Sequence, residues 1–413
     1  MKKNLYPYIA FMVLISTALA CAFSIGSPQP SGDEVATVVA STMQALTPVS
    51  GGGGVAAFTS VPVGSLPHPL YFLNDDGVGV SQVFRLGTDG RTLTQVTFEP
   101  AAVESYDVSQ TDGSVIYVSN NQLLMIKADG SGRRVLADGG PVDPDNLYAE
   151  GINNPVFSPD GQTIAYAHKG LILYALSTGA ANKVLEKLGT DPISGGLGPR
   201  VLYVPQKYSP DGTKILITVA IPNSDGISSG IYNVITNTLT LPSGGDGARL
   251  CCGEQAWTSD SSALYVGIPF VGMFASGLWR VDAATGNLTT LLPTEAGGGN
   301  FNLANQPYLA PDGQLYFFFA SQPAPDGFID NNAPLQIVRS APDGVTDRTV
   351  LRPETFESVN RALWAPDASF VIVTKLPADR SVYDGGAVEL YYTDATKSVI
   401  PLLPFGRQLK WGP

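Results

Sequence analysis

The chain has 413 residues, a formal net charge of −12 at pH 7, and 44% hydrophobic against only 15% charged residues. Such an acidic chain repels nucleic acid and anionic lipid headgroups, so its charge disfavours both classes of partner. The hydrophobic share is large enough for an extensive packed core, whereas two histidines are too few for a His-rich metal site.

The first 21 residues have the features of an export signal. Lys2 and Lys3 precede an apolar segment at 9–15 that is too short to span a membrane, and small residues precede Cys21. Ala18-Leu19-Ala20-Cys21 resembles the lipobox of bacterial lipoproteins, although Ala18 stands where that motif most often has Leu. The resemblance implies lipidation of Cys21 and anchoring in the bacterial cell envelope, in the periplasm or at the cell surface. The alternative is an ordinary cleaved signal in which Cys21 has no role.

A linker at 22–65 follows the signal. Ser31-Gly32-Asp33-Glu34 has the pattern of a capping box, and the apolar stripe after it predicts a short helix at 33–47. Gly51 to Gly54 form a flexible connection to the next domain. This segment is interpreted as a spacer between membrane and domain; the alternative is a helix that docks on the domain or on a partner.

A repeated turn motif organises the domain at 66–413. Ser-Pro-Asp-Gly occurs intact at 158–161 and 209–212, and four altered copies accompany it. The aspartates of the six copies are Asp112, Asp160, Asp211, Asp260, Asp312 and Asp367. They lie 48 to 55 residues apart, and a period of this length indicates one supersecondary unit that is repeated.

Each repeat has the pattern of short strands joined by tight turns. In the unit that begins at Asn154, runs rich in β-branched and aromatic residues alternate with turns at 158–161 and 177–179. Pro presets the first central position of a turn, while Asp and Gly tolerate the others. Four antiparallel strands per repeat predict the blades of an all-β propeller.

The two ends of the domain predict how the ring closes. Strand-like runs at 69–73, 82–86 and 93–97 form a blade that lacks its innermost strand, and the C-terminal residues 408–413 match that missing strand. Leu409 to Trp411 are therefore expected to pair with the run at 69–73, which leaves no open sheet edge. With six full repeats, this predicts a seven-bladed propeller.

The motif aromatic-Ser-Pro-Asp-Gly, followed by an apolar strand, a Tyr-containing strand and a turn, resembles the WD40-like repeat of TolB-type propellers. The resemblance covers about 66–413, although the Asp112 repeat lacks Pro and the Asp260 and Asp367 repeats lack Gly. It implies the architecture and leaves the activity open, because such repeats serve scaffolds, accessory domains of hydrolases and a few lyases.

The sequence predicts no catalytic residue, no metal site and no cofactor. His68 and His168 fall on non-adjacent blades, as expected of surface loop residues. Gly226-Ile227-Ser228-Ser229-Gly230 matches a nucleophile elbow by letter, yet a strand rather than a helix follows it. Acidic loops at 143–146 and 326–332 contain calcium-type ligands without EF-hand spacing, and solvated turns are the alternative.

Cys251 and Cys252 are adjacent and, if Cys21 is lipidated, have only each other as intramolecular partners. Export permits disulfides, but adjacent cysteines close only a small strained ring. A vicinal disulfide and a pair of free thiols both remain open.

The long connections of the predicted propeller all emerge on the face opposite the Ser-Pro-Asp-Gly turns, which marks that long-loop face as the functional one. Polar residues precede each repeat's Asp by about six positions and are expected to ring the channel mouth there. These residues are Tyr106, Asp107, Asn154, Gln206, Glu254, Gln306, Arg361 and Gln408. They suit a neutral polar ligand or a peptide segment, although a water-filled mouth is polar by default.

Two functions are compatible with these patterns. The first is a non-catalytic, envelope-anchored binding or scaffold protein that captures a protein or peptide-like ligand on the long-loop face. The alternative is a carbohydrate-active or other hydrolase or lyase with Glu254 and Asp107 as acid and base, because glycosidic chemistry needs two carboxylates.

Overall fold

The computed structural model describes residues 66–142, 150–190, 195–222, 227–244, 254–269, 275–323, 333–357, 359–375 and 385–413. These residues belong to one compact unit, Val61–Pro413. The expected signal, Cys21, the helix at 33–47, Cys251 and Cys252 lie outside the described residues. Within the described ranges, no helix is long and apolar enough to cross a membrane.

All regular structure in these ranges is β-strand. The first strands are β1 (Leu70–Asp75), β2 (Ser81–Leu86), β3 (Leu93–Gln95), β4 (Val103–Val108), β5 (Val115–Ser119), β6 (Gln122–Ile126), β7 (Arg134–Asp138), β8 (Asn153–Phe157), β9 (Thr163–Ala167), β10 (Leu171–Ala175), β11 (Ala181–Leu185), β12 (Leu188–Thr190), β13 (Leu197–Pro199), β14 (Leu202–Tyr208) and β15 (Lys214–Ala220). The remaining strands are β16 (Ile227–Asn233), β17 (Thr238–Thr240), β18 (Glu254–Trp257), β19 (Ala263–Ile268), β20 (Gly277–Asp282), β21 (Leu288–Leu292), β22 (Glu295–Gly297), β23 (Asn300–Leu309), β24 (Leu315–Pro323), β25 (Gln336–Ser340), β26 (Thr349–Val350), β27 (Val359–Trp364), β28 (Phe370–Lys375), β29 (Gly386–Tyr392) and β30 (Ile400–Trp411).

The strands pair in consecutive four-stranded antiparallel groups. Five groups are β4–β7, β8–β11, β14–β17, β18–β21 and β23–β26, and the last of these carries β22 as a fifth strand. A continuous sheet joins two more, because β30 pairs with β29 and also with β1, in the order β27-β28-β29-β30-β1-β2-β3. The all-β propeller class is thereby confirmed, whereas the blade count for the whole chain stays a prediction.

The C-terminal strand pairs where the sequence placed it. Leu70 lies opposite Trp411 and Tyr71 opposite Lys410 in an antiparallel ladder between β1 and β30. The N–H of Gly412 also donates to the carbonyl oxygen of Pro69 at 2.9 Å. The backbone edge of β1 is therefore covered by residues more than three hundred positions away in the chain.

The Ser-Pro-Asp-Gly turn is held by hydrogen bonds within the motif. The Ser158 hydroxyl donates to Asp160 Oδ1 at 2.5 Å and accepts from the N–H of Thr163 at 2.9 Å. Asp160 Oδ1 also accepts from the N–H of Gln162 at 3.0 Å. Gly161 takes a φ of 68°, a left-handed conformation that glycine adopts without a Cβ clash. These bonds are local, which explains why the motif was recognisable in sequence.

Two altered copies keep the same turn without glycine. Ser261 and Ala368 occupy the Gly position with φ of 60° and 56°. Asp260 and Asp367 still accept the N–H two residues later at 3.0 Å. A left-handed L-residue costs about 1 kcal/mol or more, so the surrounding sheet holds these turns in place.

Burial falls from the inside of each group to its outer edge. All residues of β5 and β19 are buried, whereas β7 and β11 are mostly exposed. Neighbouring groups share their cores: Phe318 of β24 meets Phe356 edge-on at 5.1 Å, and its ring centroid lies 6.0 Å from that of Trp364 of β27. Packing between the faces of neighbouring sheets therefore stabilises the groups.

Two of the expected long loops contain regular structure. The connection at 189–203 includes the hairpin formed by β12 and β13, and the connection at 293–305 forms the hairpin between β22 and β23. Phe301 of β23 is half-buried against a core cluster. A hairpin satisfies backbone hydrogen bonds that a loop of this length would leave to water.

Candidate functional site

Among the described residues, seven strand segments stand innermost in their groups, and the space between them is called the central channel. These inner strands are β4, β8, β14, β18, β23, β27 and the Arg407–Trp411 end of β30. Neighbouring inner strands contact one another, for example β4 with β8, β8 with β14 and β18 with β23. Between β14 and β18, the Trp257 indole donates to the Lys207 carbonyl oxygen at 3.4 Å. The channel is therefore enclosed by strands from every group.

Most inner strands carry a β-bulge. The register shifts fall after Val103, Asn153, Pro205, Asn305 and Val359, and on β30 between Arg407 and Lys410. A bulge adds a residue that has no partner in the ladder and redirects the neighbouring side chains. Four of the sequence-predicted mouth residues, Asn154, Gln206, Gln306 and Gln408, sit at these bulges.

Three of those bulge residues have strained backbones. Asn154, Gln306 and Gln408 have φ of 45°, 51° and 52°. Side chains other than glycine adopt this region at a cost of about 1 to 3 kcal/mol, and such positions concentrate at functional sites. A bulge with a left-handed polar residue therefore recurs in three of the inner strands.

Two ion pairs cross between inner strands. Arg361 Nη1 of β27 lies 2.9 Å from Glu254 Oε2 of β18, although β23 separates these strands in the ring. Their side chains are 46% and 33% exposed. Lys410 Nζ lies 2.8 Å from Asp107 Oδ1, and the second oxygen of that carboxylate accepts from the N–H of Phe157 at 2.8 Å. The predicted residues Asp107, Glu254 and Arg361 are therefore brought into one channel.

Lys207 of β14 completes the charged set. Its side chain is exposed to solvent, yet protein surrounds it, and this desolvation lowers the pKa of Lys207. Positive charge on Lys410 and Arg361 acts in the same direction, whereas Asp107 and Glu254 act to raise the pKa. The charges of these four residues therefore act on the pKa of Lys207.

Tyr106 and Gln306 correct the predicted ring, because their side chains are not exposed at the mouth. Tyr106 is 2% exposed in a core cluster, and its hydroxyl donates to the Gln408 carbonyl oxygen at 2.6 Å. Gln306 is 6% exposed, and its carbonyl oxygen accepts the Trp364 indole N–H at 2.9 Å. The sequence prediction used only the distance of each residue from the Asp of its repeat. It did not include the alternation of side chains along a strand or the shift that a bulge causes, and these direct Tyr106 and Gln306 into the packed faces.

The remaining predicted residues Asn154, Gln206 and Gln408 are half-buried, and the side chains of Gln206 and Gln408 donate to backbone carbonyl oxygens. The N–H of Asn154 donates to Ser105 Oγ at 3.2 Å, and Gln408 Nε2 donates to the Glu104 carbonyl oxygen at 3.2 Å. Gln206 Nε2 donates to the Val204 carbonyl oxygen at 3.4 Å. These contacts help to hold the bulges in place.

The sequence prediction missed Lys207, Lys410 and the exposed Glu104, whose pKa desolvation raises. Lys207 and Lys410 are close in sequence to Gln206 and Gln408, so a search of both sides of each predicted position would have found them. Charged side chains therefore stand beside the neutral polar residues that the sequence predicted for the mouth.

The described residues contain no group of three His, Cys, Asp or Glu side chains that could hold a metal ion. His68 packs at 6.3 Å between ring centroids against Trp411, and His168 is half-buried with no hydrogen bond to its Nε2, so neither is a free loop side chain. Ser228 lies within β16, which begins before it at Ile227 rather than after the motif. The acidic loops at 143–146 and 326–332 both lie outside the described residues.

No protein-family model and no curated protein sequence matches the chain. Among solved structures, an oligogalacturonate lyase in complex with manganese is 12% identical, with a TM-score of 0.50 over 78% of this chain and 81% of that one. An oligogalacturonate lyase from Vibrio parahaemolyticus is 11% identical, with a TM-score of 0.50 over 81% and 86%. TolB from Acinetobacter baumannii is 12% identical, with a TM-score of 0.40 over 86% and 89%.

The fold is a β-propeller. Structural neighbours of this propeller include TolB and related WD40-like proteins. At these identities the likeness to the lyases shows the fold alone, and the manganese belongs to the protein named with it.

Proposed function

We propose that this propeller is a non-catalytic binding protein that holds a protein or peptide-like segment at its central channel, on the long-loop face. The observation that carries the proposal is the Arg361–Glu254 ion pair, which joins non-adjacent inner strands and leaves both side chains partly exposed. Such a pair presents a donor and an acceptor side by side on a rigid frame, as peptide recognition requires.

The bulges support the same conclusion. Inner strands that depart from regular pairing at Asn154, Gln206 and Gln408 offer half-buried amides next to the charged residues. A peptide backbone has donors and acceptors in both directions, which amide side chains match. Preformed polar groups on strands reduce the ordering cost of binding.

We further propose that the protein is exported and anchored in the bacterial cell envelope through lipidated Cys21, in the periplasm or at the cell surface. The support is the basic, apolar and small-residue order of positions 1–21. An acylated Cys with more than one chain gives stable membrane attachment. The proposed partner is therefore an envelope or surface component.

Site-directed photo-cross-linking of the full chain in its native host tests the binding face. A photoreactive residue in place of Glu104, an exposed residue of β4 that takes part in neither ion pair, is expected to form adducts with a distinct partner. The matched control carries the same residue in place of Thr285, in the turn between β20 and β21 on the opposite face. Adducts at position 104 alone support the proposal.

Equal adducts at both positions, or none at position 104, contradict it. Circular dichroism and melting temperature of each variant confirm that the propeller is intact, so a missing adduct reports on binding. Glu104 and Thr285 are both exposed, and neither substitution removes a core side chain.

The alternative enzyme has one structural observation in its favour: Asp107 and Glu254 both act on Lys207 and therefore share the channel. Against it, each carboxylate already accepts an ion pair from Lys410 or Arg361. Turnover of polysaccharide substrates that is lost in Glu254→Gln would establish the alternative. Turnover that Glu254→Gln leaves unchanged, or no turnover at all, would remove these carboxylates from consideration.

A further inference from the structure

A cleft opens between two neighbouring groups of strands, β8–β11 and β14–β17, on the face that carries the Ser-Pro-Asp-Gly turns (the turn face). It has a volume of about 280 Å³ and is lined by residues of the two intact turn motifs, at 158–161 and 209–212. The two turns approach closely, since a Cβ added to Gly212 would lie 3.5 Å from Pro159 Cδ. A cleft of this size is small for a ligand pocket and suits one side chain or a small organic molecule.

Tyr208 of β14 lines this cleft, and its hydroxyl lacks a hydrogen-bond partner. The residue is 6% exposed and packs in a core cluster with Ile215 and Tyr232. Among the described residues, no group donates to its hydroxyl or accepts from it. A buried polar group without a partner lowers stability, so native proteins usually satisfy such a group with protein, water or a ligand.

The equivalent aromatic residues of other groups have no such unsatisfied atom. Trp257, Trp364 and Trp411 each donate the indole N–H to a backbone carbonyl oxygen of another inner strand. Phe157 has no polar side-chain atom, and it lines a second cleft of about 260 Å³ between the turns at 109–112 and 158–161. The unsatisfied hydroxyl therefore belongs to the cleft at Tyr208 and is not a general feature of the repeat.

Two turn carboxylates also line the cleft, and one of them has a free acceptor. Asp160 Oδ1 accepts from the Ser158 hydroxyl and the N–H of Gln162, and these bonds lower the pKa of Asp160. Among the described residues, Asp160 Oδ2 accepts no hydrogen bond and Asp160 forms no ion pair. Asp211 instead lies 3.8 Å from Lys214 Nζ, which partly neutralises its charge.

The remaining lining determines which chemistry suits these acceptors. Burial raises the pKa of Tyr208, and the negative charge of Asp160 acts in the same direction, so the hydroxyl stays neutral at physiological pH. A neutral hydroxyl oxygen can accept from an N–H donor. Leu173 and Val234 add apolar surface. The cleft therefore combines an unpaired carboxylate and a free hydroxyl oxygen with an apolar wall.

We propose that this cleft binds a primary ammonium group on an alkyl stem, with Asp160 Oδ2 and the Tyr208 hydroxyl oxygen as its acceptors. An ammonium group has three N–H donors, and hydrogen bonds between ionised partners are the strong ones. The alkyl stem packs on Leu173 and Val234, as the stems of lysine side chains do on apolar surfaces. The source is a lysine side chain of another protein or a free alkylamine. The site is on the turn face and does not depend on the function proposed for the channel.

Saturation-transfer NMR with the full chain in detergent at pH 7 tests the proposal with two matched pairs of probes. N-acetyl-lysine methylamide is compared with N-acetyl-norleucine methylamide, and butylamine is compared with butanol. Each pair keeps the alkyl stem and differs in the ammonium group. The ammonium probe of at least one pair is expected to bind about tenfold more tightly than its uncharged partner, and added salt is expected to reduce that difference.

Two variants test the two acceptors separately. Tyr208→Phe removes only the hydroxyl, and Asp160→Asn removes the charge while an amide oxygen can still accept the N–H of Gln162. Each is expected to weaken binding of the ammonium probe about tenfold. The matched controls are Tyr203→Phe, in the same strand but outside the cleft lining, and Asp367→Asn, in the turn between β27 and β28. Both controls are expected to bind as the wild type does.

Melting temperatures distinguish a lost site from a lost fold. Tyr208→Phe is expected to be at least as stable as the wild type, because it removes a buried hydroxyl that has no partner. Unchanged ammonium binding in both Tyr208→Phe and Asp160→Asn overturns the site. Equal binding of charged and uncharged probes, or no binding of either ammonium probe, also overturns it.

The two probe pairs separate the possible sources of the ammonium group. Binding of the lysine probe supports the site with a protein side chain as its ligand, and binding of butylamine alone supports it with a free amine. Adducts at position 104 are measured independently on the long-loop face. Their absence overturns the function proposed for the channel and leaves the ammonium site standing.

Discussion

The indole Nε1 of Trp411 donates a hydrogen bond to the carbonyl oxygen of Trp364 at 2.9 Å and so ties the C-terminal strand to the neighbouring inner strand. Trp364 makes the same contact with Gln306 at 2.9 Å, and Trp257 with Lys207 at 3.4 Å. The aromatic residue before the turn motif is thus a hydrogen-bond donor between blades as well as a core side chain.

Removal of residues 408–413 is expected to unfold or aggregate the propeller. The deletion removes the partners of Leu70 and Tyr71, buried Leu409, and the Trp411 indole, and it exposes the edge of β1. Size-exclusion chromatography and thermal melting measure the effect. The control is Trp411→Phe, which loses chiefly the hydrogen bond and is expected to cost about 1 kcal/mol. A truncated chain as monomeric and stable as this control contradicts the closure.

Gly161→Ala is expected to destabilise the protein more than Gly212→Ala. Both glycines are left-handed, with φ of 68° and 71°, so each substitution costs about 1 kcal/mol in backbone strain. An added Cβ at Gly161 would also lie 2.7 Å from Thr111 Oγ1, whereas at Gly212 the nearest atom is Pro159 Cδ at 3.5 Å. Chemical denaturation measures the free energies of unfolding.

The double variant Gly161→Ala, Thr111→Ala isolates the clash. Thr111→Ala removes the hydroxyl and methyl groups that the added Cβ would meet. In a Thr111→Ala background, Gly161→Ala is therefore expected to lower the free energy of unfolding about as much as Gly212→Ala does in the wild type. Equal costs for the two single variants would show that the contact with Thr111 has no influence.

Glu150→Gln is expected to stabilise the protein above neutral pH. Burial raises the pKa of Glu150 to about 7 and outweighs the backbone N–H groups of Lys169 and Gly170, which act to lower it. A carboxyl whose folded pKa is raised favours folding when protonated, so stability falls as pH rises from about 4.5 through 7. The variant removes this loss, on the order of 2 kcal/mol at pH 8, and has little effect at pH 4.

Denaturation curves between pH 4 and 8 measure that difference, with exposed Glu295→Gln as the matched control. The control is expected to follow the wild type at every pH. A wild type and a Glu150→Gln variant with parallel pH profiles would show that Glu150 is ionised at no cost in the folded protein.

Cys21→Ser is expected to convert a membrane-bound protein into a soluble exported one, or into an uncleaved precursor, without unfolding the propeller. Acylation needs the thiol, and the apolar segment at 9–15 is too short to span the bilayer. Membrane fractionation after growth with labelled fatty acid measures the change. Wild-type protein that is unlabelled and released into the medium would rule out lipidation and leave the fold unaffected.

Local chemistry made the repeat and its turns predictable from the sequence alone. The hydrogen bonds of Ser158, Asp160 and Gly161 join residues at most five positions apart, so the turn that they form does not depend on the rest of the chain. The pairing of Leu409 to Trp411 with β1 was also predictable, because a missing innermost strand and a spare C-terminal strand have one obvious match. The sequence did not predict which side chains of the inner strands face the channel and which face the core.

Only the tertiary structure decided which residues reach the channel. A bulge shifts the side-chain alternation by one residue, and its position depends on the register with the next strand, so Tyr106 became a core residue while Lys207 became exposed. The Arg361–Glu254 pair joins positions 107 residues apart, and the Lys410–Asp107 pair joins positions 303 apart. Coulomb interactions depend on distance in space, and the repeat period of the sequence does not predict which charged side chains come close together in the folded protein.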